Sequence, residues 1–165
     1  MVIDGIDFSG CDEWEKSATM TMILLEDVID EYRLVSKDSS DVRRRSFIRV
    51  VFSSIEAYQY QCRQVLLREA KELSPAVVGL LKETRYKFST KGAKELEDYM
   101  PFLDSYVFTF QTMIQLHQPD YRIDNNSADW NNFVALRKKR DRLTHPKTLE
   151  DIYITQSDID LARKV

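Results

Sequence analysis

The stretch Phe47-Ile48-Arg49-Val50-Val51-Phe52-Ser53-Ser54-Ile55-Glu56-Ala57-Tyr58 decides the fold class of this chain. It lies in a run from Val42 to about Leu73 that holds neither glycine nor proline, so nothing in it interrupts a helical backbone. Phe47, Val51, Ile55, Tyr58, Cys62, Val65 and Glu69 recur three or four residues apart, the spacing of one helix face. Such a helix is on the order of 48 Å long at a rise of about 1.5 Å per residue. That is long enough to form the spine of a bundle.

Working outward, residues 12–36 keep helical spacing in Met20, Ile23, Leu24, Val28, Ile29 and Tyr32. Ser39, Ser40 and Asp41 supply a turn and an N-cap between the two helices. Ser74-Pro75 opens a short helix to about Glu83, since proline suits a first turn. From Thr84 to Gly92, Tyr86 and Phe88 alternate with charge, a pattern of either a loop or a brief strand. A third long helix runs from Leu96 or Pro101 to His117, and its Phe102, Tyr106, Phe108 and Phe110 have the spacing of core or interface residues. Ser127 caps a fourth helix to about Thr144, where Pro146 disfavours helical geometry at His145. Leu149, Ile152 and Ile154 read as a short extended piece. Thr155 to Asp158 then starts a helix that stops at Val165 after barely two turns, as in a fragment of something longer. The expectation is an all-α bundle of four principal helices with short additional helices. It forms one domain over residues 1–165, with a core at about 12–146 and a short C-terminal extension at 147–165.

Bulk properties narrow the function classes. The chain has 165 residues, 43% hydrophobic and 31% charged, in the range of globular rather than disordered proteins. No run approaches the roughly 20 apolar residues of a membrane span, and the N-terminus lacks a basic-then-apolar signal pattern. No membrane association is expected, and the cytoplasm is the default compartment. Cys11 and Cys62 read as two reduced, packed thiols. Two histidines and two distant cysteines provide no zinc spacing, and no glycine-rich phosphate loop is present. No metal and no cofactor are expected. Net charge is −3, yet Arg137, Lys138, Lys139, Arg140, Arg142 and Lys147 cluster against the single acid Asp141. A local basic patch of this kind fits a site rather than a coat.

Within that patch, Arg140 and His145 stand five positions apart at a helix end. Arginine is a permanently charged planar donor suited to phosphate, and histidine moves protons near neutral pH. Phe133, Leu136, Arg140 and Leu143 share one helix face, so Arg140 interrupts a stripe expected to be buried and must face an acid, a cleft or a subunit boundary. Asp141 and His145 are i, i+4 neighbours, placing the carboxylate to orient the imidazole if the helix persists that far. On a straight helix Arg140 and His145 point roughly 140° apart. Either a bend at Pro146 or a second copy across a two-fold axis would bring both groups to one phosphate, and the second route predicts a homodimer. His117 reads as a helix-end residue. Glu56 sits one step off the apolar stripe of its helix and is expected to pair locally with Tyr60 or Arg63 rather than with Arg140. Arg43-Arg44-Arg45 reads as a solvated face or a contact to a partner or nucleic acid.

The run Arg140-Asp141-Arg142-Leu143-Thr144-His145 resembles the R-x4-H signature of HEPN domains, and the helix from Arg49 to Tyr58 is similar to an earlier core helix of that family. The resemblance extends over about residues 12 to 146. It implies a metal-independent endoribonuclease, an RNA substrate and an active cleft made by two protomers, often in toxin–antitoxin or other defence systems with a neutralising antitoxin or regulatory partner. Arg140 and His145 carry over as the catalytic pair and Asp141 as the polar residue beside the arginine, a position that is often asparagine in the family. Lys138, Lys139, Arg142 and Lys147 are candidates for RNA phosphates, although each alone also reads as a surface charge. The competing class is a non-catalytic HEPN-like dimerisation, nucleotide-binding or protein-interaction module, and a third is a purely structural bundle.

Overall fold

The computed structural model describes residues 2–3, 6–7, 9–90 and 92–164, and among them the expected all-α class is observed. Six helices carry most of the chain: α1 (Glu13–Lys37), α2 (Asp41–Arg68), α3 (Pro75–Leu81), α4 (Phe102–His117), α5 (Ala128–Thr144) and α6 (Gln156–Ala162). Single-turn 3-10 segments cover Ala70–Glu72 and Glu150–Ile152. Two small antiparallel ribbons complete it, β1 (Val2–Ile3) with β2 (Ile6–Asp7) and β3 (Thr84–Ser89) with β4 (Gly92–Glu97). The chain clusters into two compact units, Met1–Ser17 with Gln59–Ile123 and Ala18–Tyr58 with Asp124–Val165.

The helix ends lie close to where local signals put them. At α1, Asp12 and Glu15 form a reciprocal cap, each carboxylate accepting the other's backbone N–H at 2.8 and 2.9 Å. Ser74 caps α3 and Ser127 caps α5, the latter accepting from Trp130 N–H at 3.1 Å. Thr155 and Asp158 form a full capping box at α6. Two stretches differ from expectation. The ambiguous region after Thr84 is a hairpin that runs on to Glu97, so α4 starts only at Phe102. Gly92, which opens β4, has φ 107°, where a side chain would be strained. The expected extended piece around Leu149 to Ile154 is partly a 3-10 turn, because the Asp151 carboxylate gathers the N–H groups of Lys147 and Thr148 at 2.9 and 3.0 Å.

The first unit has an unusual interior. Cys62, Leu66 and Leu81 are buried, and so are Gln59, Ser105, Thr109 and Thr112. On α4 the buried face is therefore hydroxyl-bearing, while Phe102, Tyr106, Phe108 and Phe110 are only half-buried. Burial is tolerated because Thr109 and Thr112 each donate to the carbonyl four residues back at 2.8 Å. Ser105 Oγ accepts from Gln59 Nε2 at 2.7 Å and from Arg63, whose Nη2 also pairs with Glu83 at 3.0 Å. Glu83 holds a left-handed φ of 52°, a conformation unfavourable for a side chain with a Cβ. The Arg63 partnership is what its carboxylate provides in return. Cys11 and Cys62 are both free thiols.

The second unit has a more conventional core. Phe47, Ile48, Phe52, Leu136 and Ile154 have 1% exposure or less, and burying such side chains stabilises by about 1.5–3 kcal/mol each. The buried seam of α2 is broader than the expected stripe: Phe47 and Val51 are buried as expected, Ile48 and Phe52 are buried beside them, and Tyr58 is exposed. The apolar side of α1 is incompletely covered. Met20, Met22, Leu25 and Ile29 are exposed, beside a groove of about 520 Å³ lined by Val28, Tyr32, Phe47 and Val51.

Replacing Ser105 by alanine strands the Gln59 amide and the Arg63 guanidinium without their common acceptor. Urea unfolding is expected to show a loss of about 1–3 kcal/mol at unchanged m-value. An unaltered midpoint would mean that the hydroxyl is dispensable to the cluster.

Candidate functional site

Helix α5 and the chain just beyond it hold the residues of interest. Trp130, Phe133 and Phe52 form an aromatic series, with ring centroids 5.6 and 6.0 Å apart. Phe133, Leu136 and Leu143 are buried along one face of α5, and Arg140 lies on that same face as the spacing requires. The Arg140 side chain retains 25% exposure. Its guanidinium sits 5.9 Å from the Phe52 ring centre, Nη2 donates to Glu56 Oε1, and Nη1 lies 3.3 Å from Asp141 Oδ1. Asp141 Oδ2 is in turn 3.0 Å from Arg137 Nε. Two guanidiniums and two carboxylates thus form a cluster with no net formal charge.

This corrects the local pairing expected for Glu56. The carboxylate reaches α5, whereas Arg63 is engaged by Ser105 and Glu83. The reason is geometric. Arg49, Phe52 and Glu56 are spaced i, i+3, i+7, so all three belong to one face of α2. Arg49 from that face donates to the Leu143 carbonyl at 3.1 Å and satisfies an orphan acceptor at the end of α5. Arg49, Phe52 and Arg137 are site-forming residues that the motif did not reveal, although the i, i+3, i+7 spacing of the first two with Glu56 carried the signal.

His145 occupies the C-cap of α5 with φ −130° and ψ 62°, and is exposed. Proline at 146 blocks another helical residue, so the imidazole is released from the helical path one turn after Arg140. The backbone N–H of His145 still donates to the Asp141 carbonyl at 3.0 Å. The expected carboxylate–imidazole contact is not made, because the arginines occupy the Asp141 side chain. Among the described residues no carboxylate oxygen lies within ion-pair distance of the His145 ring. Beyond Pro146, the Asp151 carboxylate fixes the turn, and the hydrogen bond from Lys147 N–H, followed by that from Thr148 N–H, keeps its pKa below the ordinary 3.8.

The four flanking cations divide. Lys138, Arg142 and Lys147 are exposed, with Arg142 Nε donating to the Lys138 carbonyl at 3.4 Å. Lys139 is instead tied to Asp158 at 3.1 Å and joins α5 to α6. Two of the three consecutive arginines of α2 are likewise put to structural use: Arg44 donates to the Ile154 carbonyl at 3.2 Å, and Arg43 lies 3.6 Å from Glu31. In the first unit, His117 ends α4 and its Nε2 lies 3.3 Å from Glu69. Among the described residues there is no group of three or more His, Cys, Asp or Glu side chains placed to hold a metal ion, and no helix long and apolar enough to cross a membrane. No protein-family model, curated protein or solved structure matches the chain.

Burial pushes the Asp158 carboxyl up, but hydrogen bonds from the Thr155 N–H and hydroxyl and from Lys139 outweigh it and leave its pKa below the ordinary 3.8. A carboxylate depressed in the folded state adds stability above its unfolded pKa and loses it as pH falls through the folded value. The wild-type unfolding midpoint is therefore expected to drop on acidification from about pH 5 downwards. Asp158→Asn should start lower at neutral pH and decline less over the same range. Parallel curves for the two proteins would contradict this assignment.

Proposed function

We propose that this chain is a metal-independent endoribonuclease of the HEPN type that acts as a homodimer, with a toxin or defence role. The observation that carries the reading is the placement of Arg140. A partly exposed guanidinium interrupts an otherwise buried apolar stripe one turn before an exposed histidine that the helix has released. Structural packing alone favours an aliphatic residue there, whereas phosphate chemistry requires the charge.

In this mechanism His145 removes the proton of a ribose 2′-hydroxyl, or protonates the departing 5′-oxygen from the second copy. The 2′-oxygen forms a bond to phosphorus as the bond to the 5′-oxygen breaks. The products are a 2′,3′-cyclic phosphate and a 5′-hydroxyl. Arg140 binds the scissile phosphate and stabilises its oxygens as charge builds in the pentacoordinate state. Glu56, Asp141 and the Phe52 ring hold the guanidinium plane in place, so Glu56 and Asp141 act as positioning residues. Lys138, Arg142 and Lys147 hold flanking phosphates, and Lys139 contributes less because Asp158 holds its ammonium. DNA lacks the nucleophile and resists. The exposed Met22, Leu25 and Ile29, spaced i, i+3, i+7 on α1, offer an apolar face to the second copy.

One observation favours the competing reading, a non-catalytic interaction module. The cluster around Arg140 is already neutral, so a phosphate must compete with two carboxylates for the guanidinium. A labelled single-stranded RNA incubated in EDTA decides between them. Cleavage to cyclic phosphate ends is expected, with a 2′-deoxy substitution at the scissile nucleotide blocking it. Arg140→Ala and His145→Ala should each slow cleavage by about 10²–10⁴-fold while the helical circular dichroism is kept. A requirement for divalent metal, or cleavage at the wild-type rate by both variants, would overturn the mechanism, and RNA binding without cleavage would favour the interaction module.

The dimer makes a separate prediction. Met22→Glu combined with Ile29→Glu is expected to shift sedimentation from dimer to monomer and to reduce cleavage. A monomeric wild-type protein that cleaves at full rate would rule out the shared cleft.

A further inference from the structure

The β3–β4 hairpin of the first unit carries a charge pattern that opposes its own pairing. Its antiparallel register sets Lys87 directly across from Lys94 and Arg85 directly across from Leu96. Opposed residues share a face of the ribbon, and alternate residues along a strand share it too. Arg85, Lys87 and Lys94 therefore lie together on one side, and all three are exposed. By the same alternation, the exposed Glu95 and Glu97 fall on the other side. The hairpin is sorted by sign.

Like charges directly opposite each other destabilise a strand pair, and a glutamate at either lysine position would turn repulsion into attraction. Local compensation is slight. The Arg85 Nε lies 3.9 Å from Asp98, with both side chains well exposed, and among the described residues neither lysine has an ion-pair partner. Hairpin stability alone does not account for an unfavourable pair on a solvent-facing ribbon. The chemistry that relieves three clustered cations is a row of anions. Two residues along a strand advance about 6.6 Å, a step comparable to the spacing of phosphates in an extended polynucleotide. The cations the face offers are point charges, which suit a backbone rather than a particular base.

We propose that Arg85, Lys87 and Lys94 bind the phosphate backbone of single-stranded RNA, as a docking site separate from the Arg140–His145 cluster. This rests on the reading of RNA as the substrate, and the test is read by binding so that it does not depend on cleavage. Full-length protein carrying His145→Ala is titrated into a fluorescent single-stranded RNA in EDTA over a range of salt concentrations. Adding Lys87→Gln and Lys94→Gln is expected to lower affinity more than tenfold at about 0.1 M salt, and to reduce the log–log salt slope by about 1.4, at about 0.7 per lost phosphate contact. Lys87→Glu alone should weaken RNA binding and raise the melting temperature together, because the substitution pairs with Lys94. A purely structural hairpin would show the second effect without the first.

Unchanged affinity and slope in the double variant would overturn the proposal, as would no RNA binding by the parent protein. So would an equal loss when the exposed Lys37 and Lys71 are substituted, since the charge would then act without regard to place. If the hairpin variants lose RNA affinity while wild-type protein fails to cleave, the docking site stands and the nuclease mechanism falls. If cleavage is present and hairpin binding is unchanged, the reverse holds.

Discussion

The pairing of Arg140 with Glu56 holds a cation on a helix face that is otherwise built from Phe133, Leu136 and Leu143. A guanidinium withdrawn from water without a partner costs several kcal/mol, more than a neighbouring aliphatic contact returns. The carboxylate of α2, the second carboxylate at Asp141 and the face of Phe52 together make the position tolerable. The side chain nevertheless retains 25% exposure. The same groups that permit the charge to be there determine what it can reach.

The end of α5 is built with comparable economy of parts. Pro146 stops the helix, Arg49 occupies the Leu143 carbonyl, and Asp151 collects the first two N–H groups of the following turn. Helix termini are places where unsatisfied backbone groups must find partners, and here the partners come from both sides of the break. His145 is consequently exposed at a defined backbone geometry rather than on a fraying end. The proposed proton transfer would gain from such placement, because the reach of the imidazole is set before any ligand arrives.

The two units solve the burial problem differently. The second packs aromatic and aliphatic side chains, with the ionic cluster at its margin. The first buries an amide and hydroxyls and places a guanidinium against them, so its interior leans on side-chain hydrogen bonds rather than on apolar packing alone. Within it Ser105 Oγ collects both the amide and the guanidinium, while Arg63 Nε is buried without a hydrogen-bond partner among the described residues. The left-handed Glu83 belongs to that arrangement, as does the hairpin that begins at the next residue.

Most of the helical layout was legible in the chain itself. Ser74-Pro75, Ser127 and His145-Pro146 act on their immediate neighbours, so their effects require no knowledge of the rest of the molecule. Helical spacing likewise placed Arg140 on the Leu136–Leu143 face before any neighbour was known. Contacts between distant segments were another matter. Glu56 is 84 positions from Arg140, and its nearer candidate partners were the expected ones until α2 and α5 were seen to face each other. Lys139 reads as one basic residue among several, and only the approach of α6 gives it to Asp158. The stretch after Thr84 was ambiguous for the same reason: a strand is defined by its partner, and the pairing of Thr84 with Glu97 joins residues no local pattern connects. What the amino-acid order decided by itself was where helices begin, end and turn their apolar sides, because those outcomes depend on sterics and hydrogen bonds within a few residues. Which charges meet, and which are left facing water, depended on the tertiary structure, because electrostatic partners are chosen by proximity in space.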